Sequence, residues 1–229
     1  MVRILAMETT EAIGGVAAAI DDKLLQHMQL DPRQRSAQSL APAVKALLEK
    51  VPWRPADVQL VAVTRGPGSF TGLRVGVATA KIFAYAVGAE LLGLDTLEVI
   101  AAAAPAEVDM VSAAVDAQRG DVVAATFRRN ADGWFDPVAP ARLVSMDDWL
   151  ASLPSGSIVT GPALKKRLEP LPPTVASLDP ALWPPTAENV ARVAFRHFQA
   201  GRRDDLWKLV PVYSRRSAAE EVWEKRAGK

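Results

Sequence analysis

The chain has 229 residues, 49% of them apolar and 23% charged, an ordinary composition for a globular protein that buries a sizeable core. The 27 basic side chains nearly balance the 26 acidic ones, so the net charge of +1 gives no global field for nucleic acid. Without cysteine, disulfides, thiolate metal sites and a cysteine nucleophile are excluded. We find neither a signal-like segment nor an apolar run of about 18 residues, and we expect a soluble cytoplasmic protein without membrane contact.

The chain begins with a predicted antiparallel or mixed sheet. Residues 2–7 predict a short apolar strand that ends in the polar segment 8–10. Two further strands are predicted over residues 14–20 and 24–30, joined by short turns.

A helix is predicted next, up to about residue 51. Because proline is tolerated only in the first turn of a helix, Pro42 favours a start at Ser39 or a neighbour. The apolar residues at helical spacing include Leu40, Val44 and Leu47.

A glycine-rich loop then connects a predicted buried strand (58–63) to a long apolar segment (73–87) that predicts a helix. It fits neither the Walker pattern nor the dinucleotide fingerprint, whose third glycine position is Thr71 here. A tight structural turn is therefore favoured, while a phosphate cradle at the helix N-terminus stays open. The loop consists of Gly66, Pro67, Gly68, Ser69, Phe70, Thr71 and Gly72.

The helix after this loop is apolar nearly all round, with Arg74 and Lys81 as its main polar positions. Such a helix needs cover on most sides, which a second helix layer or another subunit could supply. A strand (89–94) and a helix capped by Asp95 are predicted to follow.

The second half of the chain opens as the first does. A strand (109–115) ends in the acidic Asp116, and a short loop leads into a second strand (121–127), about 107 residues after the similar layout around Glu8. This pseudo-repeat predicts an α/β fold of two duplicated lobes. We place them at residues 1–105 and 106–229, with a C-terminal tail that is able to pack back on the first lobe.

The rest of the second half is predicted to be less regular. We expect a short helix from Asp147, a strand over 157–160 and an extended proline-rich connection over 170–185. A helix from Thr186 to Gly201 precedes a polar end, where a short helix or a frayed tail is predicted from Ser217.

The strand-end carboxylates Glu8 and Asp116 would face each other across a cleft between duplicated lobes. There they could hold a metal–nucleotide, with Thr9 and Thr10 donating to phosphate oxygens. The alternative is that both acids simply end strands, where such residues are common. The sequence has only two histidines, far apart, and so contains no close-spaced histidine pair for a metal.

Four segments resemble signature sequences of the TsaB family of bacterial tRNA threonylcarbamoyladenosine proteins, relatives of TsaD and of proteins once called glycoproteases. The most specific is the run 65–78. Residues 4–10 resemble the family's first strand, with Glu8 where the family usually has aspartate. Residues 116–122 resemble its second-lobe hairpin, and 211–215 resemble its Pro-x-Tyr-Leu-Arg segment with serine for leucine.

This resemblance implies a two-lobed actin-like and sugar-kinase-like fold, a ribonuclease H-like duplication. It implies a scaffold that is not itself the catalyst and that pairs with a TsaD-type catalytic subunit, joined by a TsaE-type ATPase. A homodimer in isolation and an indirect link to tRNA are further expectations, while a resident metal and peptidase activity are not expected. ATP or ADP with magnesium at the partner interface stays open. The expected interface residues are Leu40, Val44, Leu47, Leu73, Arg74, Val77, Ala78 and Lys81.

A second function stays open beside this one. An enzyme of the actin-like ATPase superfamily, a stand-alone ATP-dependent phosphotransferase, would use Glu8, Asp116 and the loop 66–72 on ATP.

Overall fold

We describe a computed structural model of the chain, which covers residues 1–34, 36–167 and 169–215. The predicted short helix or frayed tail from Ser217 lies outside these residues.

The first sheet has five strands in the order β3-β2-β1-β4-β5. Strands β1, β2 and β3 are antiparallel neighbours, whereas β1, β4 and β5 run parallel. The strands are β1 (Arg3–Glu8), β2 (Gly15–Ile20), β3 (Lys23–Gln29), β4 (Leu60–Gly66) and β5 (Glu90–Asp95).

Helices cover both faces of this sheet. Helices α1 (Ser36–Lys50) and α2 (Phe70–Val87) pack on one face, and α3 (Thr96–Ala101) and α5 (Ala187–Gln199) pack on the other. The central strands β1 and β4 are consequently buried on both faces, which is why they are continuous apolar runs in the sequence.

The second sheet repeats the connectivity of the first. Strands β6 and β7 are antiparallel, β6, β10 and β11 run parallel, and β8 and β9 pair with β7. Its elements are β6 (Met110–Asp116), β7 (Asp121–Arg129), β8 (Phe135–Pro137), β9 (Arg142–Ser145), α4 (Met146–Ala151), β10 (Ser157–Thr160) and β11 (Val175–Ser177).

The predicted fold class is therefore confirmed. In each sheet an antiparallel pair continues into parallel strands in the same order, which is the duplicated ribonuclease H-like topology of actin-like and sugar-kinase-like proteins. The pseudo-repeat in the sequence reflects this duplication, since Glu8 ends β1 and Asp116 ends the equivalent β6.

Several predicted boundaries were wrong. Helix α1 begins at Ser36, which places Pro42 in its second turn, and α2 begins at Phe70. Strands β9 and β11 were not predicted because they are short and lack a clear apolar pattern.

The expectation that no run is long and apolar enough to cross a membrane was wrong for α2. Helix α2 meets that requirement by length and composition alone. Core helices of globular proteins pass the same test, and α2 lays its small and apolar residues against β4.

Candidate functional site

The glycine-rich loop is shaped by its contacts with the end of β1. A Cβ on Gly72 would lie 1.8 Å from the carbonyl oxygen of Thr9, and one on Gly68 would lie 2.6 Å from the Cβ of Thr10. Gly66, with a φ of +129°, would bring a Cβ within 2.1 Å of the carbonyl oxygen of Val212. Each of these positions excludes a side chain because backbone or a buried threonine already fills the space.

Hydrogen bonds tie the same segments together at the start of α2. Ser69 caps the helix, its Oγ accepting from the Gly72 N–H at 3.3 Å, and its own N–H donates to the carbonyl of Thr10 at 3.0 Å. The Thr9 hydroxyl donates to the Gly72 carbonyl at 2.8 Å. The two threonines that were predicted to meet phosphate oxygens thus serve the junction between β1 and α2.

A cleft of about 660 Å³ lies between the two halves of the molecule. Its walls come from the turn after β1, the start of α2, the β6–β7 hairpin, the turn after β10 and the last described residues. The charged side chains that line it are Glu11, Asp116, Arg119, Lys166 and Arg215.

The two strand-end carboxylates do not face each other across this cleft. Asp116 lines it, but its carboxylate is engaged by Lys166, whose Nζ lies 2.6 Å from Oδ2. Glu8 is only 1% exposed, does not line the cleft, and accepts hydrogen bonds from the N–H and the hydroxyl of Thr10 at 2.5 Å each. The predicted pairing of Glu8 with Asp116 around a metal–nucleotide does not fit this arrangement.

Burial shifts the pKa of the Glu8 carboxyl. Removal from water raises the pKa of this carboxyl, and the hydrogen bonds from Thr10 oppose the rise. Its second oxygen is buried without a hydrogen-bond partner, which is a costly arrangement for a charged carboxylate. Glu8 is therefore a structural group at the end of β1.

The cleft instead presents Glu11, which the sequence-based prediction missed. Burial raises the pKa of Glu11 to about 7, the neighbouring Glu8 adds to the rise, and Lys165 and Lys166 oppose it. The only cue in the sequence is that Glu11 belongs to the same polar turn as Glu8.

Five of the eight predicted interface residues are buried. Leu73 and Val77 of α2 are 0% and 3% exposed in the core against the first sheet, because α2 packs this side on β4. Leu40, Val44 and Leu47 of α1 are likewise buried in that core. These side chains cannot form most of a partner-binding surface while the domain stays folded.

The outer face of the two helices carries an apolar groove of about 460 Å³. Val44 is the one predicted interface residue at its wall, where it is joined by side chains that were not predicted. The groove is lined by Ala41, Val44, Lys45, Leu48, Glu49, Trp53, Pro55, Thr79 and Phe83.

The other predicted residues of α2 lie beneath or beside a segment that we call the C-terminal strap (residues 202–215). Lys81 donates from Nζ to the carbonyls of Leu209 at 3.0 Å and Trp207 at 3.4 Å. Arg74 lies over the ring of Phe70 at 4.0 Å and donates to the Tyr213 hydroxyl at 3.0 Å. Ala78, between them on α2, is exposed.

The strap also joins the first sheet to the second. The Val212 N–H donates to the carbonyl of Arg65 at 2.6 Å, which fixes the strap beside the loop. Further along, Arg215 pairs with Asp121 at the start of β7. The strap therefore borders the cleft and touches the outer face of α2 at once.

Within the ranges 1–34, 36–167 and 169–215, no three histidine or acidic side chains gather into a group that could hold a metal ion.

The topology and the cleft define a two-lobed protein of the ribonuclease H-like, actin-like class. Comparisons with known proteins narrow this class. A family described as TsaD, tRNA N6-adenosine threonylcarbamoyltransferase, matches residues 31–191. The chain is 30% identical over 240 residues to the tRNA threonylcarbamoyladenosine biosynthesis protein TsaB of Escherichia coli, covering 99% of both chains. The chain belongs to the TsaB family.

Two further relatives agree with this assignment. The TsaB protein of Bacillus subtilis is 30% identical over 150 residues, which span 66% of this chain and 65% of that protein. The structure of YeaZ from Pseudomonas aeruginosa superposes with a TM-score of 0.79 at 22% identity, over 93% of this chain and 100% of that one. This last similarity concerns the fold alone.

Proposed function

We propose that this chain is a non-catalytic subunit of the machinery that makes threonylcarbamoyladenosine in tRNA, and that it binds a TsaD-type catalytic subunit. Its relatives in Escherichia coli and Bacillus subtilis are tRNA threonylcarbamoyladenosine biosynthesis proteins by name, which supports a role in that process. The observation that supports binding is the apolar groove between α1 and α2, which lies on the outside of the first half of the molecule.

The groove has the chemistry of a helix-binding surface. Leu48, Trp53 and Phe83 supply apolar area, while Lys45 and Glu49 provide charges at the wall. An amphipathic helix that lays apolar residues into such a groove buries them without leaving a polar group unpaired. A second copy of this chain is the alternative occupant.

The cleft supports the non-catalytic part of the proposal. A phosphotransferase would need carboxylates free to hold magnesium beside the nucleotide. In this chain Asp116 is paired with Lys166, Glu8 is buried, and burial raises the pKa of Glu11 to about 7, so these three carboxylates are poorly suited to a magnesium–nucleotide.

Binding can be tested by titrating the purified chain with a purified TsaD-type subunit from the same organism in a calorimeter. Ala41→Glu places a larger, charged side chain in the groove at an exposed position and is expected to weaken binding at least tenfold, because it occupies the space of the partner's apolar side chains and loses water there even when it pairs with Lys45. Gln38→Glu adds the same charge on α1 outside the groove and serves as the matched control.

Three outcomes would contradict the proposal. The unchanged chain fails to bind the TsaD-type subunit, Ala41→Glu binds as tightly as the parent, or the purified chain alone transfers phosphate from magnesium–ATP. The last result would favour the phosphotransferase.

A further inference from the structure

Three large side chains form an exposed apolar cluster beside the groove, which we call the aromatic knob (Ile82, Tyr85 and Trp207). They are 69%, 69% and 74% exposed. Ile82 and Tyr85 lie three positions apart on α2 and so share one face of the helix. The Trp207 ring meets the Tyr85 ring edge-on, with the centroids 5.7 Å apart and the planes at 62°. Exposed aromatic side chains in direct contact favour a binding role over a solvent-facing one.

The strap holds Trp207 in a fixed position. The Asp205 carboxylate accepts from the N–H of Trp207 at 2.7 Å and from that of Lys208 at 3.1 Å, which closes a tight turn. Lys81 holds the carbonyls on either side of Lys208, and Leu209 anchors the turn because it is only 3% exposed. A large side chain that is already ordered loses little further conformational freedom when a partner covers it.

The charges around the knob indicate what kind of partner fits it. Lys208 is exposed beside Trp207 on the strap, and the nearby Asp205 carboxylate is engaged by backbone N–H groups. A second copy related by a two-fold axis would bring its own Lys208 to the same surface. A partner that carries carboxylates around an apolar pocket is complementary instead.

The knob continues the groove across α2. Thr79 and Phe83 line the groove, and Ile82 and Tyr85 occupy the neighbouring stripe of the same helix. A single partner surface that fills the groove therefore also reaches the knob.

We propose that the aromatic knob is a second anchor for the subunit that binds the groove, and that this subunit offers an apolar pocket rimmed by carboxylates. This inference rests on the proposed function, and it makes the C-terminal strap part of the binding surface.

The test measures Kd by calorimetry for the full-length chain and a TsaD-type subunit from the same organism. Trp207→Ala is expected to raise Kd on the order of 30-fold, as loss of a central aromatic anchor does. Val138→Ala removes another exposed apolar side chain, 53% exposed on the second half of the molecule, and is expected to leave Kd unchanged. Lys208→Glu is expected to weaken binding and to reduce its dependence on salt.

Folding is checked by the melting temperature and circular dichroism of each variant. If Trp207→Ala also lowers the melting temperature, Ile82→Ala on the regular part of α2 replaces it and is held to the same expectation. Sedimentation of each variant alone reports on self-association.

The outcomes separate this inference from the proposed function. If the parent binds, Ala41→Glu does not, and Trp207→Ala binds like the parent, the knob inference is wrong while the groove proposal stands. If Trp207→Ala only dissociates a homodimer and leaves Kd unchanged, the occupant is a second copy and the inference is again wrong. If the parent itself does not bind the TsaD-type subunit, the proposed function is wrong, and the knob inference, which rests on it, is wrong as well.

Discussion

Replacing Gly76, in the second turn of α2, by alanine is expected to destabilise the fold, although the same change in a helix usually stabilises it. In a helix interior this change normally stabilises by about 1 kcal/mol. Here a Cβ would lie 2.3 Å from the Thr9 hydroxyl oxygen and 3.3 Å from a methyl group of Val63. The first distance is far inside contact, so either the hydroxyl or the helix has to move.

Each way of making room costs at least as much as the gain in helix propensity. Rotating the Thr9 hydroxyl breaks its 2.8 Å hydrogen bond to the Gly72 carbonyl in a buried site, which costs about 1–3 kcal/mol. Shifting α2 away from β4 to admit the added methyl group disturbs the packed core at a cost of roughly 1–3 kcal/mol. With both partly required, we expect Gly76→Ala to lower the free energy of unfolding by about 2–3 kcal/mol net of the helix gain.

The measurement is urea unfolding followed by circular dichroism. Ala78→Gly, at an exposed position of the same helix, controls for propensity and should cost about 1 kcal/mol. In a Thr9→Ala background, which removes the clashing hydroxyl, the cost of Gly76→Ala should shrink. A Gly76→Ala variant at least as stable as the parent would refute the reasoning, and an unchanged cost in the Thr9→Ala background would show that another contact is responsible.

Two further predictions concern pH. Burial raises the pKa of Glu8 in the folded chain, so the fold binds this proton more tightly than the unfolded chain does, and stability should fall as pH rises above about 4.5 through the folded pKa. Glu8→Gln should abolish a slope of at most about 1.4 kcal/mol per pH unit in urea titrations, and an unchanged slope would contradict this assignment. Glu11, with a pKa of about 7, should contribute a smaller slope of the same sign between pH 4.5 and about 7, because it is partly exposed. Glu11→Gln should flatten the dependence of the melting temperature on pH across that range, and an unchanged dependence would contradict the assignment.

The fold could be predicted because its signals are local and repeated. Strands β1 and β4 are buried on both faces and therefore consist of uninterrupted apolar runs in the sequence. The carboxylates at the ends of β1 and β6 mark equivalent positions in the two sheets. Two similar layouts in one chain then predict a duplication without knowledge of packing.

The site could not be predicted to the same depth, for identifiable reasons. A helix that is apolar nearly all round has no polar stripe to show which side packs inward, so Leu73 and Val77 were predicted to belong to a partner interface although they face β4. The direction of Glu8 depends on hydrogen bonds from Thr10, and Asp116 is paired with a lysine fifty positions along the chain. Neither the hydrogen bonds of Glu8 nor the ion pair of Asp116 produces a periodic pattern in the sequence from which it could be predicted.

The loop connects these observations in a way that its composition alone did not show. A phosphate cradle needs glycines so that a ligand can approach the backbone, but in this chain the approaching groups are protein. The Thr9 carbonyl fills the space beside Gly72, and the Val212 carbonyl fills the space beside Gly66. The loop is thus the junction of β1, α2 and the C-terminal strap. Because the strap runs from this junction to both the cleft and Trp207, a partner that covers the knob would press on the segment that borders the cleft.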